Sequence, residues 1–197
     1  RTGSLFALEQ EGIAADITTL AKGLGAGYQP IAALMAAENI IRIIKNGSGT
    51  LWNGHTYMSH AIATAGALAV QQVIEEENLL TDVRTRGEQL CKGLQTRLSQ
   101  NPHVGNIRGR GLFWTVELVQ DRTTKQPFDA TLGLAPKVRE IALDLGLMCY
   151  PSQGCADGTQ GDHVLLAPAY TSKRKEIETI CDLITQAIET ALTGLEA

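Results

Sequence analysis

Nine residues constrain this chain more than any others. Lys22-Gly23-Leu24-Gly25-Ala26-Gly27-Tyr28-Gln29-Pro30 sets three glycines and a proline between two short apolar runs, Ile17 to Ala21 and Ile31 to Ala36. Such a stretch cannot continue a helix and makes a tight connection. The flanking runs have the length and character of buried strands in a sheet. Lys22 ends the first run and opens the turn. A lysine ordinarily sits on the surface with its amine in water. An amine between an apolar strand and a glycine-rich turn is instead expected to be partly desolvated, which favours the uncharged, nucleophilic form. The glycines would also let backbone approach a planar ring. They do not make a nucleotide loop: the G-x-G-x-x-G pattern fails at Tyr28, and no Gly-Lys pair exists for a Walker A loop.

The rest of the chain reads as alternating helices and short strands. Glu38 to Lys45 is expected to be a helix ended by Asn46-Gly47, followed by a loop from Gly47 to Tyr57. Ser59 is the expected cap of a long alanine-rich helix from about His60 to Glu76. Its small residues Ala61, Ala63, Ala65, Gly66 and Ala67 admit a close neighbour. The run Glu75-Glu76-Glu77-Asn78 looks like a solvated end, and a domain boundary is placed near residue 78. Thr81 is the expected cap of the next helix, with Val83, Leu90, Leu94 and Leu98 as its apolar stripe. Val104 to Val119 reads as a strand pair turning at Arg108-Gly109-Arg110-Gly111. A helix from Leu134 to Leu145 follows, then strands Leu147 to Tyr150 and His163 to Leu166 across a polar, glycine-rich linker. Ser172 is the expected cap of a last helix that buries Ile177, Ile180, Ile184, Ile188 and Leu192. The order implies an α+β second domain.

Composition narrows the function classes. A net charge of -4 gives no electrostatic reason to expect nucleic acid or an anionic membrane as partner. No apolar run approaches a membrane span. Position 1 is Arg, with no signal-peptide pattern after it, and the chain is expected to be part of a longer one. Cys91, Cys149, Cys155 and Cys181 form no C-x-x-C pair and are expected to be reduced thiols in the cytoplasm. The four histidines, His55, His60, His103 and His163, supply no metal-binding pattern, so no metal is expected.

Together, Arg1-Thr2-Gly3, Phe6-Ala7, Glu11-Gly12-Ile13, Asp16-Ile17 and Ala21-Lys22-Gly23-Leu24-Gly25-Ala26-Gly27-Tyr28 with Pro30 resemble the lysine region of the class III pyridoxal-phosphate (PLP) aminotransferases. The resemblance runs nearly to the C-terminus. A second motif, Asn53-Gly54-His55-Thr56-Tyr57-Met58-Ser59-His60, precedes the small-residue helix. By itself it reads as a Ser/Thr loop with a helix cap. The third, Arg108-Gly109-Arg110-Gly111-Leu112-Phe113-Trp114, is similar to a turn in the family's small domain. It is taken as architectural, with Arg108 and Arg110 as candidates for the substrate entrance. The fourth, His163 to Tyr170, is similar to the family's strand before the last helix, with His163 read as an ordinary strand-edge histidine.

The resemblance implies an α/β PLP-dependent transferase of fold type I. Residues 1–78 would be the C-terminal part of its large domain and residues 79–197 its small α+β domain. It implies that Lys22 carries PLP as an internal aldimine and that Thr56 binds the cofactor phosphate in the partner subunit of a homodimer with shared active sites. The implied reaction moves an amino group between a small-molecule donor and a keto acid or aldehyde. Two other readings stay open: a different PLP reaction such as an aminomutase or racemase, and an inactive piece with only a folding or association role. The aspartate that pairs with the pyridinium nitrogen, the phosphate loop and the ring-stacking aromatic of the family would lie before residue 1, so this chain alone is expected to be close to inactive. No arginine occurs between Arg139 and Arg174, which argues against a dicarboxylate donor held by a mobile arginine there.

Overall fold

A computed structural model describes residues 1–196. The elements run β1 (Ile17–Leu20), β2 (Ala33–Ala36), α1 (Glu38–Asn46), α2 (Ala61–Glu76), α3 (Leu79–Leu98), β3 (Val104–Gly109), β4 (Trp114–Leu118), α4 (Leu134–Asp144), β5 (Tyr150–Gln153), β6 (Asp162–Leu166) and α5 (Arg174–Glu196). The chain divides into two compact units. One is Leu5–Leu79. The other joins Arg1–Ser4 to the chain from Leu80 onward. The sequence reading placed residues 1–4 with the first domain; here they pack with the later part of the chain. None of the described helices is long and apolar enough to cross a membrane.

The later unit holds the main core. Four antiparallel strands pair in the order β3-β4-β6-β5. Along β6, Asp162, Val164 and Leu166 point to the covered face, while His163 and Leu165 are half-buried on the other. Period-2 alternation in the strand thus meets period-3.6 stripes in the helices. Val83, Leu90, Leu94 and Leu98 of α3 and Ile177, Ile184 and Ile188 of α5 are fully buried and join Val116 and Val164 in one cluster. Each such side chain contributes roughly 1.5–3 kcal/mol by leaving water.

The helix starts differ from the sequence expectation. Thr81 lies inside α3, which begins at Leu79 after Asn78 turns the chain with φ of 52°. Ser172 is not the cap of α5. The Glu176 carboxylate instead reaches back to the Lys173 N–H at 2.6 Å. Around α2 the cap is His60, whose Nδ1 accepts from the Ala63 N–H at 3.3 Å. Ser59 has φ of 55°, outside the extended region a cap occupies. Strand β5 also lies later than Leu147 to Tyr150 and takes in Pro151. Proline is tolerated there because β5 is an edge strand with an unpaired side. His163, read as a strand-edge residue, sits on β6 between two paired strands.

Two contacts hold this unit together in ways side-chain volume alone would not. The first is a meeting of backbones. Gly87 on α3 faces the carbonyl of Gly111 so closely that a Cβ on Gly87 would overlap it. Gly111 has φ of 56°, and a Cβ there would collide with Arg1 and Thr2. Arg1 is tied in by its carbonyl, which accepts from Leu112 N–H at 2.9 Å, and by its guanidinium, which donates to the carbonyls of Ala167 and Pro168 at 2.9 and 2.6 Å. Second, buried Asp162 accepts the Ala135 N–H at 3.0 Å, capping the first turn of α4 from a neighbouring strand. Its other oxygen, Oδ2, is buried without a hydrogen-bond partner among the described residues. Burial pushes its carboxyl above the ordinary range, against smaller downward pulls from the Ala135 bond and nearby His163.

The Leu5–Leu79 unit is built differently. Strands β1 and β2 pair antiparallel, Ile17 opposite Ala36 and Leu20 opposite Ala33. They were expected to be buried, yet Ile17 is 53% exposed and Leu34 64% exposed. The reason is that a two-stranded ribbon has two faces to cover, and no helix of this unit spreads over them. Ala63, Ala67 and Leu79 are its buried apolar side chains among the described residues, while Leu51, Trp52, Tyr57 and Ile62 are exposed.

Gly87→Ala should destabilise the protein by roughly 2 kcal/mol, although alanine is ordinarily the better helix former, because overpacking outweighs propensity. Gly194→Ala, where a Cβ meets nothing within 4 Å, should be neutral or slightly stabilising. Thermal melting of both variants checks this; equal effects would refute the backbone contact. For Asp162, the raised carboxyl pKa sets the sign. Its contribution is fully present below the ordinary value of about 3.9 and is lost as pH rises through the folded value. Asp162→Asn should therefore gain stability relative to wild type as denaturant midpoints are compared from pH 3 upward. A constant difference would show that Asp162 does not titrate differently on folding.

Candidate active site

The residue with the strongest claim to chemistry is held by an unusual backbone. Lys22 opens a single 3₁₀ turn, Lys22–Leu24, with φ of 49°. Ala26 follows with φ of 48°. A left-handed conformation costs a residue with a Cβ roughly 1–2 kcal/mol, so surrounding contacts must hold the turn. They come from α2. Its face Ala63, Gly66, Ala67, Val70, Gln71 and Ile74 follows the helical period and is the covered side. A Cβ at Gly66 would lie 2.9 Å from Gln29 Cγ. Gly25 is buried, and a Cβ on it would meet Ile31 Cγ2 at 2.9 Å and the Gln29 carbonyl at 3.1 Å. Gln71 Nε2 donates to the Leu24 carbonyl at 3.0 Å and, more weakly, to that of Gly23 at 3.4 Å.

The Lys22 side chain itself is exposed. This corrects the expectation of partial desolvation. That expectation took the neighbouring apolar run as buried, whereas Ile17 and Thr19 of β1 are exposed and Thr18 and Leu20 only half-buried. What the turn fixes is the backbone from which the side chain leaves. The amine has no hydrogen-bond or ion-pair partner among the described residues.

Thr56 lies in the same unit, in an exposed turn closed by Met58 N–H to the His55 carbonyl at 3.0 Å. It precedes α2 by one turn of chain rather than sitting at its first residue. No hydrogen bond links Thr56 to Lys22 among the described residues. Of the other candidates, Arg108 is ion-paired with Glu117 across the β3–β4 hairpin. His163 Nδ1 is buried without a partner among the described residues. Both belong to the later unit. No group of His, Cys, Asp and Glu that could hold a metal ion occurs among the described residues. Sequence reasoning passed over Gln71 and His60. Gln71 had a signal: it is the polar member of the small-residue stripe Ala63, Ala67, Gln71 at four-residue spacing.

An uncommitted primary amine on a rigid turn and a free hydroxyl in a loop before a helix suit an aldehyde cofactor that carries a phosphate. The donor set therefore fits PLP at two of its groups, the aldehyde and the phosphate.

Comparison with known proteins agrees. The family model for class III aminotransferases matches residues 1–188. An aminotransferase of Gibberella zeae is 45% identical over 98% of this chain. The crystal structure of a transaminase from the marine bacterium Virgibacillus superposes with a TM-score of 0.93 at 33% identity over 99% of this chain. An amine transaminase from an uncultivated Pseudomonas species, solved in its PLP-bound internal aldimine form, superposes with a TM-score of 0.83 at 33% identity over 97%. The chain belongs to the class III aminotransferase family, and its mixed α/β fold is that of the corresponding part of these transaminases. It spans 38% of the Gibberella protein's length, 43% of the Virgibacillus chain and 41% of the Pseudomonas chain.

Proposed function

We propose that this chain is the C-terminal part of a PLP-dependent aminotransferase that moves an amino group from a small-molecule donor to a keto acid or aldehyde. The observation that carries the reading is Lys22, an uncommitted amine on a left-handed turn, within a chain of this family. In this reading Leu5–Leu79 contributes to the large cofactor-binding domain and the chain from Leu80 onward is the small domain. When bound, the cofactor supplies an electron sink for the bond broken at the substrate's α carbon. Lys22 Nζ would be the group that holds the cofactor at its aldehyde, and Thr56 Oγ1 the one that holds its phosphate. Released from the cofactor, Nζ would accept the substrate α proton and deliver it onward as an acid.

This reading is supported over a different PLP reaction because the similar proteins compared above are aminotransferases and transaminases. A donor half-reaction on the full-length protein separates the readings, because transamination leaves the cofactor in its amine form and releases a carbonyl product.

In the full-length protein, borohydride reduction followed by peptide mapping should label Lys22. Lys22→Ala should still fold, since the change removes an amine rather than core volume, and lose transamination. A label on another lysine sinks the assignment. Thr56→Ala should weaken PLP binding by roughly 1.5–3 kcal/mol, the worth of a hydrogen bond to a charged group, with turnover restored at high PLP. If Thr56 serves a partner's site, a two-fold dimer is required. A hybrid of one Lys22→Ala subunit and one Thr56→Ala subunit then places both defects in one site and recovers about one wild-type site per dimer. Activity no higher than that of Thr56→Ala alone would place Thr56 within its own subunit's site.

A further inference from the structure

We infer that Gln71 is a positioning residue for Lys22: its side-chain amide fixes the turn that presents the amine. The inference rests on the reading of Lys22 as the cofactor lysine.

The turn accounts for most of its own carbonyls. Leu24 N–H donates to Ala21 at 3.1 Å, Gly25 N–H to Lys22 at 3.2 Å and Tyr28 N–H to Gly25 at 2.9 Å. The carbonyls of Gly23 and Leu24, the two that follow Lys22, take the Gln71 amide instead. Both partners are acceptors, so the side chain must present its nitrogen to them, and the amide orientation is settled. The other contacts of the turn with its surroundings, Gly25 against Ile31 and Gly66 against Gln29, are contacts of shape. They set how close the turn lies to its neighbours. They restrict the turn by shape and bring it no hydrogen bond. Among the described residues, Gln71 supplies the directional restraint from outside the turn.

That restraint acts where strain is stored. Lys22 at φ of 49° relaxes toward ordinary backbone angles once the turn can rotate, and Nζ moves with it. Gln71 sits on the covered face of α2, 49 residues away in sequence, and is half-buried. Its neighbour Gln72 is exposed and touches neither carbonyl. The pair provides an internal control.

The test uses the full-length protein with Gln71→Met, which keeps length without a donor, and Gln71→Glu, which turns the donor into an acceptor facing two carbonyls. Gln72→Met is the control. Four quantities are measured: the borohydride-labelled lysine, the pH midpoint of the absorbance band of lysine-bound cofactor, kcat and KM for the amino donor, and the melting temperature. Lys22 should remain the labelled lysine throughout. Gln71→Met should lower kcat about fivefold, the factor one hydrogen bond commands, with the donor KM close to wild type. Gln71→Glu should lower it further. Both should move the pH midpoint, and Gln72→Met should move nothing. If kcat and the pH midpoint stay at wild-type values while Lys22 is labelled, the role of Gln71 is overturned and that of Lys22 stands. It is equally overturned if activity falls only in step with melting temperature at an unchanged midpoint, or if Gln72→Met behaves as the Gln71 variants do. A label on another lysine in wild type overturns the Lys22 reading itself.

Discussion

The turn that carries Lys22 depends on a backbone held where its residue would not rest alone. Lys22 is left-handed, and so is Ala26 four residues on. Neither is a glycine, so the turn is strained and cannot hold itself. It is held because α2 offers a face of small residues and one amide. Larger side chains on α2 would keep the turn from coming near, and loss of the Gln71 amide would remove its hydrogen bonds to the helix. Close approach and hydrogen bonding are separate requirements, and two kinds of residue on one helix meet them.

The two units show what a hydrophobic pattern does and does not guarantee. From Leu80 onward, strand alternation and helix stripes find each other, and Val116, Val164, Leu94 and Ile184 reach complete burial. Between Leu5 and Leu79 the pattern is equally apolar, yet Ile17, Leu34 and Trp52 face outward. Apolar residues supply the drive to leave water, but a face must exist to receive them. The exposure of Lys22 has the same origin. Within Leu5–Leu79, β1 is covered only in part, at Thr18 and Leu20.

Helix boundaries illustrate a different limit. Ser59, Thr81 and Ser172 are all good capping residues by type, and none caps. Ser59 is left-handed, Thr81 is within α3, and at α5 a glutamate reaches back to Lys173. His60 caps α2 through a ring nitrogen. A cap needs its own backbone angles and a free N–H within reach, and composition specifies neither. Likewise Pro151 reads as linker but belongs to a strand, which only its place at the sheet edge permits.

The linear chain was enough to determine the family, the glycine-rich turn after Lys22 and most of the helices of the later unit. These rest on local chemistry: glycine and proline interrupt regular structure wherever they occur, and a four-residue apolar repeat makes one helical face in any setting. The tertiary structure alone decided the rest. It brought Gln71 to the carbonyls after Lys22, set Gly87 against Gly111 and Gly111 against Arg1, and placed buried Asp162 at the start of α4. Each of these joins residues separated by at least 24 positions. Such pairs carry no periodic signal, because the distance that matters is through space and is set only once the core has packed.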